Sequence, residues 1–389
     1  MELSQSSPFR GAVKEKPYLT LRILQVPLDV TLDTLDTDLK SITVTDTDLH
    51  EAVNTLSHLT LVQMNKNSAC ATATFQTSLP KDEFVQRLQA AIQKDYQFDC
   101  NFYDITPLYD HQTDANTDLV AVSGLGGHGF GSWKDPTSDM MWLRDNLPKD
   151  IPHQRVIIYG HDTHLQGSDS KQSIEELGVG LMESITRYRN DTETSQRPII
   201  FIGHSLGGLI IKEALLFSRN SRIGTSNIHK ACHGMLFFGV PNHGLRYDQL
   251  STIVQGQPNK ALVESLLVDS DSEPSDYLKR ISNQFSTDFE GKYSIISFYE
   301  RKHTPTVEVQ DGTLRKTGKP SLLVTKESAT KIGVVPAGRE DNIPFNTDHS
   351  GLVKYRKGNS RDYDTVRSRL ERVIDDATTK ISRQSTSLV

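Results

Sequence analysis

The sequence has little cysteine and no long apolar run. The first observation argues against a disulfide-stabilised protein, and the second argues against a membrane-spanning one. Cys70, Cys100 and Cys232 are few, odd in number and far apart, so reduced, packed thiols are expected and disulfides need not be invoked. No stretch approaches the roughly 18 apolar residues of a membrane-spanning helix, and the N-terminus MELSQSSPFRGAVKEK lacks the apolar core of a signal peptide. We therefore expect an intracellular, cytoplasmic protein; peripheral membrane contact stays open, because it leaves weaker traces.

Charge of one sign is not concentrated anywhere in the chain. The formal net charge is -6 at pH 7, and no acidic or basic block stands out. Proteins that hold nucleic acid over a broad face carry excess positive charge, so we expect no nucleic-acid partner. A chain of 389 residues is long for one hydrophobic core, which favours two folding units.

Four segments are expected: a disordered N-terminus (1–16), a small α+β domain (17–104), a larger α/β domain (105–382) and a disordered tail (383–389). Elements of the small domain follow the order β-α-β-β-α-β, which is that of the ferredoxin-like fold and of RNA-recognition motifs. Its third strand, 69–75, supplies one aromatic residue where base stacking needs two or three, so RNA binding is the weaker alternative. Packing, or contact with a protein partner that the sequence does not identify, is the favoured role.

After residue 104, short apolar runs alternate with helical stretches. This alternation predicts a mostly parallel central sheet covered by helices on both faces. Helical spacing is clear at residues 174–188 and in a charged amphipathic stretch near the C-terminus, 366–381. The runs expected to form buried strands are 118–124, 155–159, 198–203, 234–240 and 293–299.

Residues 198–216 join a strand-like run to a glycine-flanked serine and an apolar helix. Gly203 and Gly207 stand two residues either side of Ser205. Glycine is needed at both places because a side chain would strike the neighbouring backbone at so sharp a turn. The segment predicts the nucleophile elbow of an α/β-hydrolase fold, with Ser205 exposed at the start of a helix; an ordinary strand-turn-helix is the plainer alternative.

Candidates for the acid and the base follow Ser205 in the chain order of α/β hydrolases. Glu300 ends the strand-like run YSIISFY, at the sheet edge where catalytic groups gather, and is the preferred acid. His349 lies in a turn-rich loop after the last core strand and is the preferred base. The rival acids are Asp348, whose sequence neighbour is His349 itself, and Glu327 and Asp341, which lie on loops that are harder to place.

The oxyanion hole is expected to use the backbone N–H groups of Leu206 and Leu125. Leu206 follows the nucleophile, and Leu125 lies in the glycine-rich loop 124–129 after the strand 118–124. The same loop partly matches G-x-G-x-x-G, but no acidic residue ends the next strand, so a dinucleotide cradle is a minor alternative. We expect no cofactor. We also expect no metal, because the pair His161 and His164 lacks a carboxylate or cysteine partner at a suitable spacing.

Seven motifs between residues 103 and 357 together resemble those of a known family. They are Gly124-Leu-Gly-Gly-His, Phe130-Gly-Ser-Trp, Met141-Trp-Leu-Arg-Asp, Gly203-His-Ser-Leu-Gly-Gly, Phe238-Gly-Val-Pro-Asn-His-Gly, Phe298-Tyr-Glu and Asp348-His-Ser-Gly-Leu-Val-Lys. The chain resembles the serine-active-site-containing, lipase-like α/β hydrolases, which are similar to the GPI inositol-deacylase group and to domains of fungal NOD-like receptors. The resemblance implies Ser205 as nucleophile, Glu300 as acid and His349 as base.

The sequence therefore predicts a serine esterase or lipase-like hydrolase that forms an acyl-Ser205 intermediate from a small-molecule or lipid ester. Leu125, Leu206, Phe130 and Trp133 suit an acyl chain, although they would also line the core of such a fold. Residues 303–345 form either a lid or a long excursion around the sheet. A non-catalytic signalling module that uses the fold as a partner-binding platform is the alternative.

Overall fold

The computed structural model of the chain describes residues 16–42, 46–165, 167–221, 227–246, 248–268, 273–289, 291–310, 313–333, 341–356 and 361–386. The disorder expected for 1–15 and 387–389 lies outside these ranges. The last helix continues to Thr386, further than the expected start of the disordered tail at residue 383. The expected boundary between 104 and 105 falls at the start of a strand of the large sheet.

The N-terminal part forms a four-stranded antiparallel sheet with helices on one face. Its strand order is β2-β3-β1-β4, as in ferredoxin-like folds, which confirms the predicted fold class. One helix, α2, was not anticipated; the side chain of Asp46 caps its first turn. In chain order the elements are β1 (Tyr18–Pro27), α1 (Leu32–Lys40), α2 (Thr47–Val53), β2 (His58–Gln63), β3 (Ser68–Gln76), α3 (Lys81–Ala91) and β4 (Gln97–Asp99).

The alternation of side chains along β3 separates the two faces of this sheet. Ala71, Ala73 and Phe75 point to the helices and belong to the small core. Thr72 and Thr74 point the other way and are fully buried. They are buried because the second face of the small sheet packs against the rest of the chain, which covers the face that an RNA-recognition motif would use.

The large sheet has seven strands in the order β13-β10-β9-β8-β6-β7-β5. All neighbours are parallel except β5, which pairs antiparallel with β7 at one edge. A separate hairpin joins β11 and β12. The strands are β5 (Asp104–Asp110), β6 (Thr117–Val122), β7 (Gln154–Gly160), β8 (Ile199–His204), β9 (Cys232–Phe238), β10 (Ser294–Glu300), β11 (Thr304–Gln310), β12 (Thr313–Ser321) and β13 (Asn342–Phe345).

Helices cover both faces of the large sheet, and β8 shows why. Its first four residues are apolar without interruption: Ile199 and Phe201 enter one core, whereas Ile200 and Ile202 enter the other. The helices α6, α7 and α11 build the first core, and α13 packs against the second. The helices are α4 (Trp142–Asp145), α5 (Leu147–Asp150), α6 (Ile174–Asp191), α7 (Leu206–Asn220), α8 (Ile228–Ala231), α9 (Asp248–Ile253), α10 (Lys260–Glu264), α11 (Asp276–Phe289), α12 (Lys326–Thr330) and α13 (Arg361–Thr386).

Candidate active site

Ser205 occupies the sharp turn between β8 and α7. Its backbone is in a strained conformation with φ 52° and ψ -126°, and its N–H donates to the carbonyl of Phe238 at 2.9 Å. A Cβ at Gly203 would lie 2.8 Å from the Gly208 Cα, and one at Gly207 would lie 2.2 Å from the Val122 carbonyl oxygen. Both glycines are therefore required by close backbone approach, as the elbow motif predicts.

Glu300 and His349 meet at the C-terminal end of β10. Glu300 Oε2 lies 2.6 Å from His349 Nδ1, and both side chains are largely buried. The other oxygen, Oε1, accepts from the backbone N–H groups of Leu323 at 2.7 Å and Val324 at 3.2 Å. Since Glu300 accepts these bonds as a carboxylate, Nδ1 carries the hydrogen that it donates to Oε2. The Nε2 of His349 is then the nitrogen with a free lone pair.

The histidine next to Ser205 supports the loop that carries His349. His204 Nε2 donates to the carbonyl oxygen of His349 at 3.1 Å, and the two ring centroids lie 5.0 Å apart. Burial lowers the pKa of His204 to about 3, so it donates as a neutral imidazole. The backbone N–H of His349 donates to Thr304 Oγ1 at 2.9 Å, and a Cβ at Gly239 would lie 2.9 Å from His349 Nδ1. His349 is thus held beside the Ser205 turn.

The glycine-rich loop 124–129 lies directly over this turn. A Cβ at Gly124 would lie 2.6 Å from Ser205 Cβ, so the loop backbone lies against the Ser205 side chain. In the described part of the chain, neither the Leu125 N–H nor the Leu206 N–H has a hydrogen-bond partner. A Cβ at Gly129 would lie 2.8 Å from the Phe102 carbonyl oxygen. The close approach of the Phe102 backbone therefore explains why glycine is needed at the last position of the G-x-G-x-x-G match, without a bound dinucleotide.

The rival acids lie in other environments. Asp348 Oδ1 accepts from the Gly351 N–H at 2.8 Å, Asp341 pairs with Arg372, and Glu327 is exposed on α12. Of the four carboxylates considered, Glu300 is the one that accepts from the His349 ring.

The two histidines at the spacing His161-x-x-His164 lie in different environments. His161 is buried, and burial lowers its pKa to about 4; His164 pairs with Asp162 at 2.6 Å. In the described ranges, no group of three or more histidine, cysteine or acidic side chains is arranged to hold a metal ion.

The apolar residues proposed to contact an acyl chain differ in accessibility. Leu206, Phe130 and Trp133 are buried in the two cores, so they do not face a substrate. Leu125 is partly exposed, as is Leu165, and both pack against the edge of the first core. Across the described residues, we find no helix with both the length and the apolar character to cross a bilayer.

Several groups around the candidate site were not identified from the sequence. They are the Leu323 and Val324 amides, Thr304, and a buried pair formed by Lys212 and Asn242. A lysine inside the apolar helical run Leu-Ile-Ile-Lys-Glu-Ala-Leu-Leu was the one available signal. The others act through contacts between residues far apart in the chain.

The sheet, the elbow and the covering helices define an α/β-hydrolase fold. Residues 117–267 match the family model described as "Putative serine esterase (DUF676)". Protein SERAC1 is 24% identical to the chain over 328 residues in both zebrafish (Danio rerio) and Homo sapiens, covering 79% of this chain and 47% of each relative. The chain thus spans about half the length of the curated relatives it matches. These matches support a lipase- or esterase-like hydrolase family; the resemblance to the fungal receptor type stays a prediction.

Solved structures of hydrolases are similar at low identity. The phospholipase PlaB from Legionella pneumophila, in complex with thio-NAD, is 13% identical with a TM-score of 0.38, and the match covers 55% of this chain and 44% of PlaB. The type II thioesterase YbtT, from the yersiniabactin biosynthetic pathway, is 13% identical with a TM-score of 0.35, and the match covers 71% of this chain and 98% of the thioesterase.

Proposed function

We propose that the protein hydrolyses carboxylic esters through an acyl-enzyme on Ser205, with His349 as base and Glu300 as the acid that orients it. The observation that carries the proposal is the 2.6 Å contact between Glu300 Oε2 and His349 Nδ1, on a loop that His204 ties to the Ser205 turn. A buried carboxylate that accepts the Nδ1 hydrogen leaves Nε2 as the proton acceptor.

The reaction follows from these positions. His349 Nε2 takes the Ser205 proton as Oγ attacks the ester carbonyl carbon, and the carbonyl electron pair moves to oxygen. The free N–H groups of Leu125 and Leu206 stabilise that oxyanion; one such donor typically contributes about 3 kcal/mol to transition-state stabilisation. Collapse breaks the bond to the alcohol, which receives the proton from His349. Water then loses a proton to Nε2, attacks the acyl carbon and releases the acid, which restores Ser205.

The substrate class is a small-molecule or lipid ester. Its acyl group would lie against Leu125 in the oxyanion loop and Leu165 beside that loop, both of which are partly exposed. Apolar walls with few polar groups are typical of sites for such ligands.

Labelling with a fluorophosphonate tests the nucleophile. We expect the full chain to be labelled and to hydrolyse p-nitrophenyl esters, and we expect Ser205→Ala to lose both activities. Ser350→Ala is the matched control, because Ser350 is exposed next to His349 in the sequence and should be dispensable. A folded wild-type protein that is neither labelled nor active would contradict the proposal and favour the partner-binding platform.

A further inference from the structure

Lys212 is a buried lysine that the reaction above does not use. It lies on α7, two helical turns after Ser205, and is 0% exposed. Its Nζ donates to Asn242 Oδ1 at 2.5 Å and to the Ile332 carbonyl oxygen at 3.0 Å. Burial lowers the pKa of Lys212 to about 7. Desolvating an ammonium group is costly, and an apolar residue would fill the same place in the core without that cost.

Asn242 extends this contact to α12. It is 1% exposed, and its Nδ2 donates to the carbonyl oxygens of Ser328 at 3.0 Å and Ala329 at 3.2 Å. Lys212 and Asn242 therefore hold three carbonyl groups in the segment 328–332. They join this segment to the helix that begins at Ser205.

Segment 328–332 lies a few residues after Leu323 and Val324, whose backbone N–H groups hold Glu300. Leu323 and Val324 donate to Glu300 Oε1, and α12 begins two residues after Val324. The loop after β9 fixes the segment at further points: the Arg246 N–H donates to the Leu323 carbonyl at 2.8 Å, and Ser328 Oγ donates to the Gly244 carbonyl at 2.7 Å. The orientation of the Glu300 carboxylate thus depends on how segment 323–332 is docked.

We propose that Lys212 and Asn242 are positioning residues for the Ser205 reaction: they dock segment 323–332 so that the Leu323 and Val324 amides hold Glu300 with Oε2 toward His349. The inference rests on the proposed function. It explains why charged and amide groups occupy a fully buried place, since they fix the acid relative to the helix that begins at the nucleophile.

The test uses Lys212→Met and Asn242→Ala in the full chain. Because small displacements in such sites cost up to about a hundredfold in rate, we expect kcat to fall at least about tenfold while KM changes less than about twofold. The rate constant for fluorophosphonate labelling of Ser205 should fall with kcat. The double variant should lose little more than either single one, because the two residues act as one unit.

The matched control is Glu213→Gln. Glu213 is the next residue of α7, is also buried, and pairs with Arg280 instead of segment 323–332. We expect kcat to be unchanged in this variant. Melting temperatures of the variants distinguish a loss of folded protein from a loss of catalytic rate. If Lys212→Met does not fold, the kcat of Asn242→Ala tests the inference.

Three results would overturn the inference while leaving the proposed function intact. They are an unchanged kcat in the folded Lys212 and Asn242 variants, a loss of kcat/KM that comes from KM alone, and a loss of kcat in Glu213→Gln as large as in those variants. A folded wild-type chain without labelling or hydrolysis would overturn both.

Discussion

At the scale of single residues, the site combines backbone strain with buried hydrogen bonds. Ser205 keeps a positive φ of 52° although it is not glycine, and such a conformation persists only where its surroundings enforce it. Here the enforcing groups are the Phe238 carbonyl and the glycines that contact the turn. Glu300 is held in a similar way by two amides, so that its orientation is set before any substrate binds.

Glu300→Gln should abolish most of the activity with little change in KM. The Leu323 and Val324 N–H groups require an acceptor, so the Gln amide nitrogen would face His349 Nδ1. Two donors cannot bond to each other, which favours the tautomer with hydrogen on Nε2 and removes the base. We expect kcat to fall about ten thousandfold. Glu327→Gln, an exposed carboxylate on α12, is the control; equal rates for Glu300→Gln and wild type would rule out this role.

Lys212 should also leave a signature in the pH dependence of stability. Its pKa is about 7 in the folded chain and near 10.5 when unfolded, so the unfolded chain binds more protons between these values. The free energy of unfolding therefore gains a positive slope with pH in this window. Lys212→Met should remove that part of the slope in urea titrations at pH 7 to 10; an identical slope would show that Lys212 titrates normally.

At the scale of elements, loop 124–129, which carries the proposed oxyanion donor Leu125, is tied to the connection between the two sheets. His128 Nε2 donates to the Cys100 carbonyl at 2.7 Å, while Nδ1 accepts from the Gly131 N–H at 2.9 Å. Phe102, which has a φ of 55°, packs against His128 and Phe130. Residues that follow β4 thus support the loop in which Leu125 lies.

Replacing His128 should slow the reaction without changing substrate affinity. Burial lowers the pKa of His128, so the neutral ring both donates and accepts, and alanine removes all of the ring's hydrogen bonds. We expect His128→Ala to lower kcat about tenfold and the free energy of unfolding by about 1–3 kcal/mol. His164→Ala, which alters an exposed histidine, should do neither. An unaltered kcat for His128→Ala would contradict the coupling.

If residues 303–345 include a lid, one hairpin is the candidate for it in the described part of that segment. Within residues 303–345, the segment around α12 is docked and β13 belongs to the large sheet, which leaves β11 and β12. Thr304, at the base of the hairpin, accepts from the His349 N–H. Residues 311–312 and 334–340 lie outside the described ranges.

Shortening the hairpin tests the lid. We expect replacement of 306–319 by Asn-Gly, which keeps Thr304 and Ser321, to change the ratio of rates for long and short p-nitrophenyl esters, because a lid contacts the acyl chain. A second variant, in which Gly-Ser is inserted in the hairpin, controls for the effect that a change of hairpin length alone has on this ratio. The same ratio in all three proteins would exclude a lid.

Elements with a continuous apolar pattern could be predicted from the sequence, and edge elements could not. β8 is buried on both faces, so its four apolar residues identify it without knowledge of its neighbours. β5 contains Pro107 and β13 has four residues; each is a strand only because a neighbour pairs with it. The elbow is a local motif and was predicted, whereas the contact of Lys212 with Ile332 joins residues 120 positions apart.

At the scale of the whole molecule, the small sheet packs against the large one through a polar interface. Arg144 Nη1 donates to Thr74 Oγ1 at 2.8 Å, and its guanidinium pairs with Asp145. His58 Nε2 lies 3.1 Å from Asp139, and the Tyr188 hydroxyl donates to the Gln63 carbonyl at 3.2 Å. The division of the chain into two domains stays a prediction, and this interface determines whether the two parts unfold together.

Arg144→Leu should uncouple the two sheets. The substitution removes the bond from Arg144 to Thr74 of the small sheet. It also leaves the buried Asp145 carboxylate without its Arg144 partner, and breaking a buried pair in this way typically costs about 3–5 kcal/mol. We expect calorimetry to show a lower melting temperature and two resolved transitions where the wild-type chain shows one. The matched control is Arg187→Leu, which removes an ion pair with Asp104 in which Arg187 is 59% exposed and should cost less than about 1 kcal/mol. A single transition at the wild-type temperature in Arg144→Leu would mean that the Arg144 contact does not couple the two parts.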